Sequence, residues 1–338
     1  MLNILFTCAG RRTYLLKYFK EQLNGEGLVI GTDMQLSAPA LTVADIKEQV
    51  PAVYAPDYID KTLAICKKHH VNAIISLNDL ELPILATNKK RFEEIGVTVI
   101  VSSPEVIDIC FDKYKTAQFI ESIGLKAPKT FVNLEEAKNA LKAGELKFPV
   151  VLKPRWGSGS IGIEFVEEEA ELDLVYNLLH HKIKKTILAT ASSGTDEYIL
   201  IQEKIQGKEY GLDVMNDLEG NPVAVSVKQK LAMRAGETDK AVTVNRPDIK
   251  AMGEAIAKNL HHVGNLDVDI LEEDGKLYVL ELNPRFGGGF PFSYEAGVNM
   301  PGAIIKWLKG ETVDSSKLSP TFGKAFAKCD YLVEIKDN

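Results

Sequence analysis

The chain has 338 residues, a formal net charge of −7 at pH 7, 26% charged and 45% hydrophobic side chains. This composition is typical of a globular protein with roughly two or three structural units and excludes a disordered chain. The acidic balance, without clustered lysine or arginine, argues against a general nucleic-acid binder, and no uncharged apolar run is long enough to cross a membrane. The cysteines are scattered, with no C-x-x-C pair and no disulfide framework. We therefore expect a soluble, reduced, cytoplasmic protein with neither nucleic acid nor membrane as a partner.

The first part of the chain alternates apolar runs with helical periodicity. The opening apolar run precedes Arg11 and Arg12, the reverse of a secretory signal, and predicts a first buried strand. Strands are predicted within 2–9, 27–33, 72–78 and 97–103, and helices over 12–22, 59–69 and 80–94. Continuous apolar strands separated by helices predict a parallel sheet that is covered on both faces.

The rest of the chain has a different pattern. Helices are predicted over 113–123 and 134–141, followed by a hairpin around a glycine cluster. A helix over 169–184 and several strand-like segments come next, and a helix near 248–262 precedes a last pair of strands. The Asp274-Gly275 dipeptide predicts a tight turn between the members of this pair. This half is therefore expected to be α+β, with no internal repeat.

The glycine cluster matches the pattern G-x-G-x-x-G, and its residues are Gly157, Ser158, Gly159, Ser160, Ile161 and Gly162. A dinucleotide site needs a helix after this loop, but the alternating residues that follow predict a strand. A glycine loop that closes an antiparallel hairpin can instead fold over a triphosphate through its backbone N–H groups. Lys153, at the end of the entering strand, would place an ammonium group on the same phosphates. The alternative is a glycine turn without a ligand.

The last pair of strands carries polar residues at every second position. Alternation places Glu281 and Asn283 on one strand face, and the tight turn allows either Asp267 or Asp269 to face Glu281. Carboxylate and amide oxygens clustered in this way suit Mg²⁺. Arg285 adds a planar, permanently charged partner for phosphate. The alternative is a solvated hairpin face.

In this order, the features resemble the ATP-grasp superfamily, and within it the synthetase units of the carbamoyl-phosphate synthase large subunit. The resemblance extends from the N-terminus to about residue 310. It implies an α/β N-terminal pre-ATP-grasp (Rossmann-like) domain over 1–111, followed by an α+β ATP-grasp fold with a glycine-rich lid hairpin. The ATP-grasp part would consist of a central subdomain at 112–200 with the lid loop and a C-terminal subdomain at 201–338 with the metal site.

The resemblance implies a role in ATP binding for several residues. Lys113 resembles the lysine that contacts the α-phosphate, Lys153 resembles the second nucleotide lysine, and the glycine loop resembles the mobile phosphate lid. Glu209 matches the acid expected on the ribose hydroxyls. The adenine hinge is matched by Gln202, Glu203, Lys204 and Ile205.

The resemblance also implies a catalytic centre. Asp267, Glu281 and Asn283 fall where the family holds Mg²⁺, with Mn²⁺ as an alternative ion. Aspartate at 267 departs from the glutamine or glutamate that is common there. Arg285 falls where the family steadies the transferring phosphoryl group, a charge that Lys153 would also offset. The aspartate at position 267 affects only how far the side chain reaches and not its suitability for the metal, since aspartate oxygens are equally hard ligands.

Arg234 is the candidate anchor for a substrate carboxylate, because related ligases place such arginines in the corresponding charged segment. Lys230 and Glu237 are further candidates in this segment, and the alternative for Arg234 is an exposed loop charge. Arg11 and Arg12 follow the first strand, where open α/β sheets usually bind ligands. Two simpler expectations complete the list of polar residues: Asp79 is predicted to cap a helix, and the three histidine doublets are predicted to be structural.

The implied function is an ATP- and Mg²⁺-dependent ligase that activates a carboxylate as an acyl phosphate for attack by an amine or ammonia. One alternative is a carbamoyl-phosphate-synthase-like half that phosphorylates bicarbonate or carbamate with a partner chain. A second is a non-catalytic nucleotide-binding regulatory module, and the context of the glycine loop argues against a nicotinamide-dependent oxidoreductase. Small-molecule substrates are expected, and a homodimer or a partner subunit stays open, since strands within 323–335 could pair with another chain.

Overall fold

We describe a computed structural model of the chain for residues 1–157, 162–186, 188–189 and 195–335. Within these residues, the strands form sheets of five, four and six strands. None of the helices in the same residues combines the length and the apolar character that a bilayer crossing requires.

The first sheet is parallel throughout, as the sequence predicts, with the strand order β3-β2-β1-β4-β5. Its strands are β1 (Ile4–Thr7), β2 (Val29–Asp33), β3 (Ile46–Gln49), β4 (Ala73–Ser76) and β5 (Thr98–Ile100). Its helices are α1 (Thr13–Leu23), α2 (Tyr58–Lys68) and α3 (Leu82–Glu93). The edge strand β3 was not predicted because its sequence, IKEQ, lacks the apolar run of a central strand.

Two short helices connect the first sheet to the second. They are α4 (Pro104–Phe111) and α5 (Lys113–Ser122), and only the second was predicted. Asp112 separates them because its backbone is extended and its carboxylate accepts the backbone N–H groups of Tyr114 and Lys115, which caps α5. The same carboxylate accepts a hydrogen bond from the Arg155 guanidinium at 2.7 Å, so the start of α5 is fixed to the next sheet.

The second sheet has the strand order β6-β9-β7-β8. Its strands are β6 (Thr130–Phe131), β7 (Val150–Pro154), β8 (Glu164–Val166) and β9 (Ile199–Glu203), and its helices are α6 (Leu134–Lys142) and α7 (Glu169–Ile183). β7 and β8 pair antiparallel, with Val150 opposite Val166. Of the predicted glycine loop between them, Gly157 and Gly162 are described, whereas Ser158, Gly159 and Ser160 lie outside the described residues.

The third sheet is antiparallel, with the order β14-β13-β10-β11-β12-β15. Its strands are β10 (Lys208–Asn216), β11 (Pro222–Arg234), β12 (Glu237–Thr243), β13 (Asn265–Glu273), β14 (Lys276–Asn283) and β15 (Ala325–Ala327). The helices of this part are α8 (Pro247–Leu260), α9 (Phe290–Glu295) and α10 (Met300–Leu308). The C-terminal strand β15 pairs with β12 of its own chain. This part of the 323–335 segment, whose strands could have paired with another chain, is therefore already paired.

The two ends of the chain share a hydrophobic core. Apolar side chains of β1 and α1, such as Phe6 and Phe19, pack with Phe286, Phe290 and Met300 from the C-terminal part. α2, α3 and α4 cover the other face of the first sheet. The first sheet is therefore covered on both faces, and the carboxyl ends of its strands lie against the C-terminal sheet.

A turn fixes the register of the β13–β14 hairpin. Asp274 and Gly275 have φ values of 49° and 73°, the left-handed conformations that a two-residue type I′ turn needs. The resulting register places Asp269 opposite Glu281 and Asp267 opposite Asn283. This register decides between the two alternatives left open by the sequence, because Asp269 is the residue that faces Glu281.

A buried carboxyl group lies at the carboxyl ends of β1 and β4. Glu81 is fully buried and accepts hydrogen bonds from the hydroxyls of Thr7 at 2.7 Å, Ser76 at 2.5 Å and Tyr58. Burial raises the pKa of Glu81, and the hydroxyl donors oppose this rise. Since the pKa is higher in the folded protein, the stabilisation is complete below the unfolded pKa and is lost as the pH rises through the folded pKa.

We predict that Glu81→Gln removes this pH dependence. The wild-type free energy of unfolding should fall as the pH rises from about 4.5 towards 8, by at most about 1.4 kcal/mol per pH unit relative to the variant. Urea unfolding of both proteins across this range measures the difference. Parallel pH profiles for the two proteins would show that Glu81 has the same pKa in both states.

Candidate functional site

A cleft of about 520 Å³, here called the central cleft, is lined by residues from the second and third sheets and by the segment that follows β4 of the first sheet. It brings together six of the residues that the sequence analysis singled out. These are Lys113, Lys153, Gly157, Glu209, Asp269 and Glu281. They come from five elements and from the loop after β7, so the site exists only when the chain is folded.

Two lysines lie at one end of the central cleft. Lys113, the first residue of α5, donates to the backbone carbonyl of Gly157, and its Nζ lies 3.4 Å from Glu281 Oε1. Lys153, on β7, is only 6% exposed, and this burial lowers its pKa to about 8, although Glu281 opposes the shift. Two cations and a carboxylate therefore face the same space, which is an arrangement suited to a polyanion bound with a cation.

A third lysine connects two of the acids in the cleft. Lys230 Nζ, on β11, lies 2.7 Å from both Glu209 and Asp269. Burial disfavours the charged form of Lys230, but Asp269 and Glu209 together raise its pKa. From the sequence, Lys230 was only a candidate substrate anchor. Its actual partners depend on the order of β11, β10 and β13 in the sheet, which no local pattern in the sequence reveals.

Arg285 connects the C-terminal sheet to the first sheet. Its guanidinium lies 2.9 Å from Asp79 and 3.3 Å from Asp267, and it is 9% exposed. Burial disfavours the charge of Arg285, but Asp79 and Asp267 raise its pKa. The prediction that Asp79 caps a helix was wrong, since the N-cap position of α3 is Glu81 and the Asp79 carboxylate contacts Arg285 instead. The ion pair prevails because a buried guanidinium needs a counter-charge.

The three predicted metal ligands and Asp269, the alternative to Asp267, form two cross-strand pairs, Asp267 with Asn283 and Asp269 with Glu281. Burial raises the pKa of both Asp267 and Asp269. Asp269 adds to the rise at Asp267, and at Asp269 Lys230 opposes the rise whereas Glu209 and Glu281 add to it. Among the described residues, no three His, Cys, Asp or Glu side chains converge into a metal site. The acids instead contact Lys113, Lys230 and Arg285.

The donor chemistry of these four residues still fits a hard cation. Carboxylate and amide oxygens are the ligands that Mg²⁺ prefers, and neighbouring carboxylates that are only 15–20% exposed require positive charge. A metal ion would add to, or partly replace, the ammonium and guanidinium groups as that charge. The assignment of Asp267, Glu281 and Asn283 as ligands stays a prediction.

The predicted adenine hinge begins in the last two residues of β9 and continues beyond the strand. The Glu203 carboxylate accepts the backbone N–H of Lys129 at 3.2 Å, Lys204 lies 3.6 Å from Glu167, and Ile205 is buried. These three hinge residues are not among the described residues that line the central cleft. Their proposed contacts with a base would therefore involve the backbone or a rearranged side chain.

Arg234 lies outside the central cleft. Its neighbour Met233 lines the cleft, and since side chains alternate along a strand, Arg234 points to the other side of β11. There it borders a second space of about 650 Å³, here called the outer cavity, between α1, the β11–β12 turn and the C-terminal segment. Its guanidinium contacts Asp330 at 2.5 Å and Asp239 at 3.0 Å.

Comparison with known proteins gives two matching family models. The one described as "PylC-like, N-terminal domain" matches residues 4–100, and the one described as "ATP-grasp domain" matches residues 110–289. The carbamoyl phosphate synthase arginine-specific large chain of Bacillus subtilis is 25% identical over 235 residues, which is 66% of this chain and 21% of that protein. The chain thus spans about a fifth of the length of the curated relatives that it matches.

Solved structures show the same fold at lower identity. Biotin carboxylase from Campylobacter jejuni superposes with a TM-score of 0.75 and 19% identity, covering 94% of this chain and 73% of that one. An L-amino acid ligase from Bacillus licheniformis gives 0.66 and 18%, covering 99% and 78%. Both the N-terminal α/β domain and the α+β part that follows are therefore confirmed. Because the ATP-grasp model matches more than half of its residues, this chain belongs to the ATP-grasp family.

Proposed function

We propose that the chain is an ATP-dependent ligase that phosphorylates a carboxylate and joins the resulting acyl phosphate to an amine or to ammonia. The observation that supports it most is the convergence of Lys113 and Lys153 with Glu281 and Asp269 in the central cleft. Such an arrangement balances the charge of a polyphosphate and an accompanying divalent cation. Names of related proteins, including the synthase large chains and the L-amino acid ligase, point the same way.

ATP would lie in the central cleft with its phosphates towards the two lysines. Lys113 and Lys153 would contact the phosphate oxygens, and the loop from Gly157 to Gly162 would cover them. Glu209, held by Lys230, would accept the ribose hydroxyls, since its carboxylate is already oriented towards the cleft. The backbone at 203–205 would contact the adenine.

Asp267, Glu281 and Asn283 would hold Mg²⁺, or Mn²⁺, beside the phosphates. The metal would neutralise charge on the phosphate oxygens. Arg285 would orient towards the transferring group from its position between Asp79 and Asp267. Lys153 approaches the same region from β7, so both residues would offset the charge that develops during transfer.

In the first step, a carboxylate oxygen attacks the γ-phosphorus and ADP leaves. In the second step, the amine attacks the carbonyl carbon, loses a proton, and inorganic phosphate leaves with the oxygen that came from the carboxylate. The protein contributes alignment, charge compensation and exclusion of water. The low exposure of Lys153 and Arg285 fits this requirement for a dry site.

The second candidate is a carbamoyl-phosphate-synthase-like half. The match to the synthase large chains supports it, and the chain spans only about a fifth of them. It would phosphorylate bicarbonate or carbamate, and it would depend on a partner chain for the remaining steps. Bicarbonate-dependent turnover without any amine requirement distinguishes it from the ligase.

ADP formation tests the proposal. Mg²⁺-ATP is supplied with a panel of amino acids, small carboxylates, bicarbonate and ammonia, and ADP and phosphate are measured. The ligase predicts that one acid and one amine together stimulate equimolar ADP and phosphate. Stimulation by bicarbonate alone supports the synthase-like half, and nucleotide binding without turnover on any substrate contradicts both.

Removal of the Glu281 carboxylate should abolish catalysis. We expect Glu281→Ala to lower Mg²⁺-dependent ADP formation by about 100-fold or more. Without this carboxylate, the Mg²⁺ that would compensate the phosphate charge loses a ligand. Glu273→Gln, on the same hairpin but bonded to the backbone of Gln206, is the matched control and should keep its activity. Unchanged turnover in Glu281→Ala would remove Glu281 from the metal site.

Lys153→Met should weaken ATP binding. A hydrogen bond from an ammonium to phosphate contributes about 2 kcal/mol, so we expect the Kd for ATP to rise by about 30-fold. Calorimetric titration measures it, and the exposed Lys147→Met is the control. Equal affinity in Lys153→Met and wild type would show that the lysine does not reach the nucleotide.

Arg234→Ala should affect the substrate and not the nucleotide. If its guanidinium anchors a substrate carboxylate, we expect the KM for the substrate that carries it, the acid or an amino acid that acts as the amine, to rise by about tenfold or more, with an unchanged Kd for ATP. Steady-state kinetics and ATP titration of the same preparation separate the two effects. A normal KM would leave Arg234 as a partner of Asp330 and Asp239 alone.

A further inference from the structure

The outer cavity presents two opposite charges side by side. Arg234 and Glu237 are paired across the β11–β12 hairpin, so their side chains emerge next to each other at its end. Both line the cavity, together with Tyr14 of α1. A ligand that fits both groups must carry an anion and a cation at a short, fixed separation.

The C-terminal segment already supplies such a pair. After β15, residues 328–333, here called the strap, run along the outer cavity. Lys328 Nζ lies 3.0 Å from Glu237. The Asp330 carboxylate accepts two hydrogen bonds from the Arg234 guanidinium, at 2.5 and 3.2 Å. Because Lys328 and Asp330 are two residues apart in extended chain, they point to the same side. The strap thus has the charge pattern of a zwitterion.

The far end of the strap contacts the N-terminal domain. The hydroxyl of Tyr331 lies 2.5 Å from that of Thr13, and Lys17 lies 5.0 Å from the centre of the tyrosine ring. Arg11 also approaches Asp330, at 3.8 Å. The strap therefore bridges the C-terminal sheet and α1 across the cavity.

Glu237 lies against the loop that carries Arg285. A Cβ atom added to Gly288 would lie 3.0 Å from the Glu237 carboxyl carbon, so the two are in contact. Gly288 follows Arg285 by three residues, in the loop that leaves β14. A ligand with its ammonium on Glu237 and its carboxylate on Arg234 would therefore direct its amine towards the site of acyl transfer.

We propose that the strap is an autoinhibitory segment, in which Lys328 and Asp330 occupy the positions of the ammonium and carboxylate of a free amino acid substrate. Binding of the amino acid displaces the strap from Arg234 and Glu237. The assignment of this ligand as the amine substrate rests on the proposed function, whereas competition between strap and amino acid does not.

The contacts of the strap are weak enough for a small ligand to replace. The side chains of Arg234 and Asp330 are 52% and 64% exposed, and ion pairs at such exposure contribute little to stability. Leu332 is fully exposed and adds no apolar anchor. The strap is thus held mainly by polar contacts that a zwitterion can reproduce.

Trypsin reports on the strap in the wild-type chain. Cleavage after Lys328 requires the lysine to leave Glu237, and cleavage after the exposed Lys147 is the internal reference for the activity of trypsin. Mass spectrometry follows both sites in the presence of each of the common amino acids. We expect at least one amino acid to accelerate cleavage after Lys328, and its N-acetyl and amide derivatives, which each lack one charge, to have no effect.

A variant tests the strap without a ligand. Asp330→Asn removes the contact with the Arg234 guanidinium, and we expect cleavage after Lys328 to become about threefold faster. Glu311→Gln changes the charge of an exposed residue elsewhere in the C-terminal part and should leave the rate unchanged. If amino acid KM is measurable, Asp330→Asn should lower it by a similar factor.

The outcomes separate this inference from the proposed function. If an amino acid releases the strap but no substrate supports ADP formation, the proposed function fails and the inference stands. If cleavage after Lys328 is the same in wild type and Asp330→Asn, or is indifferent to every amino acid, the inference is wrong, whatever the catalytic result.

Discussion

The balance of charge on the β13–β14 hairpin is the constraint on which the rest of the site depends. Its register places three acids, Asp267, Asp269 and Glu281, on the same side of the hairpin. Their side chains are only 15–20% exposed, so they repel one another with little hydration, and each requires a nearby cation. In the structure these cations are Arg285, Lys230 and Lys113.

Each of those cations comes from a different element, so the charge balance ties α5, β11 and the loop after β14 to the hairpin. Lys113 begins α5, Lys230 comes from β11, and Arg285 follows β14. Arg285 also contacts Asp79, which follows β4 in the first sheet. The acids that would bind a metal thus also hold the elements that would bind ATP. The lysine and arginine side chains that neutralise these acids are the same kind of charge that a metal ion would supply and that the phosphates would need.

Much of this fold could be predicted from the sequence because its signals are local. Apolar runs and helical periodicity predict the parallel sheet, and the Asp274-Gly275 turn predicts the hairpin that aligns the acids. The roles of Lys230 and Asp79 could not be predicted in this way. Their partners lie far away in the sequence, and the contacts follow from strand order and from the packing of the first sheet against the third.

The position of Arg234 is a further example. The sequence predicts that Arg234 anchors a substrate, but it does not predict that strand alternation turns the side chain away from the central cleft into a separate cavity. Nor does any local pattern indicate that Asp330, almost a hundred residues later, would meet it. The strap arises because β15 joins the edge of the sheet beside β12, and this pairing carries the following residues across the cavity.

Transfer of oxygen from the carboxylate to phosphate tests the central claim most directly. The acid that stimulates ADP formation is labelled with ¹⁸O in both carboxylate oxygens, and the phosphate released in unlabelled water is analysed by mass spectrometry. An acyl phosphate intermediate predicts one labelled oxygen in each phosphate, because the bridging oxygen leaves with phosphorus. Unlabelled phosphate, formed at the same rate as ADP, would contradict the account, because it would mean that water and not the carboxylate had accepted the phosphoryl group.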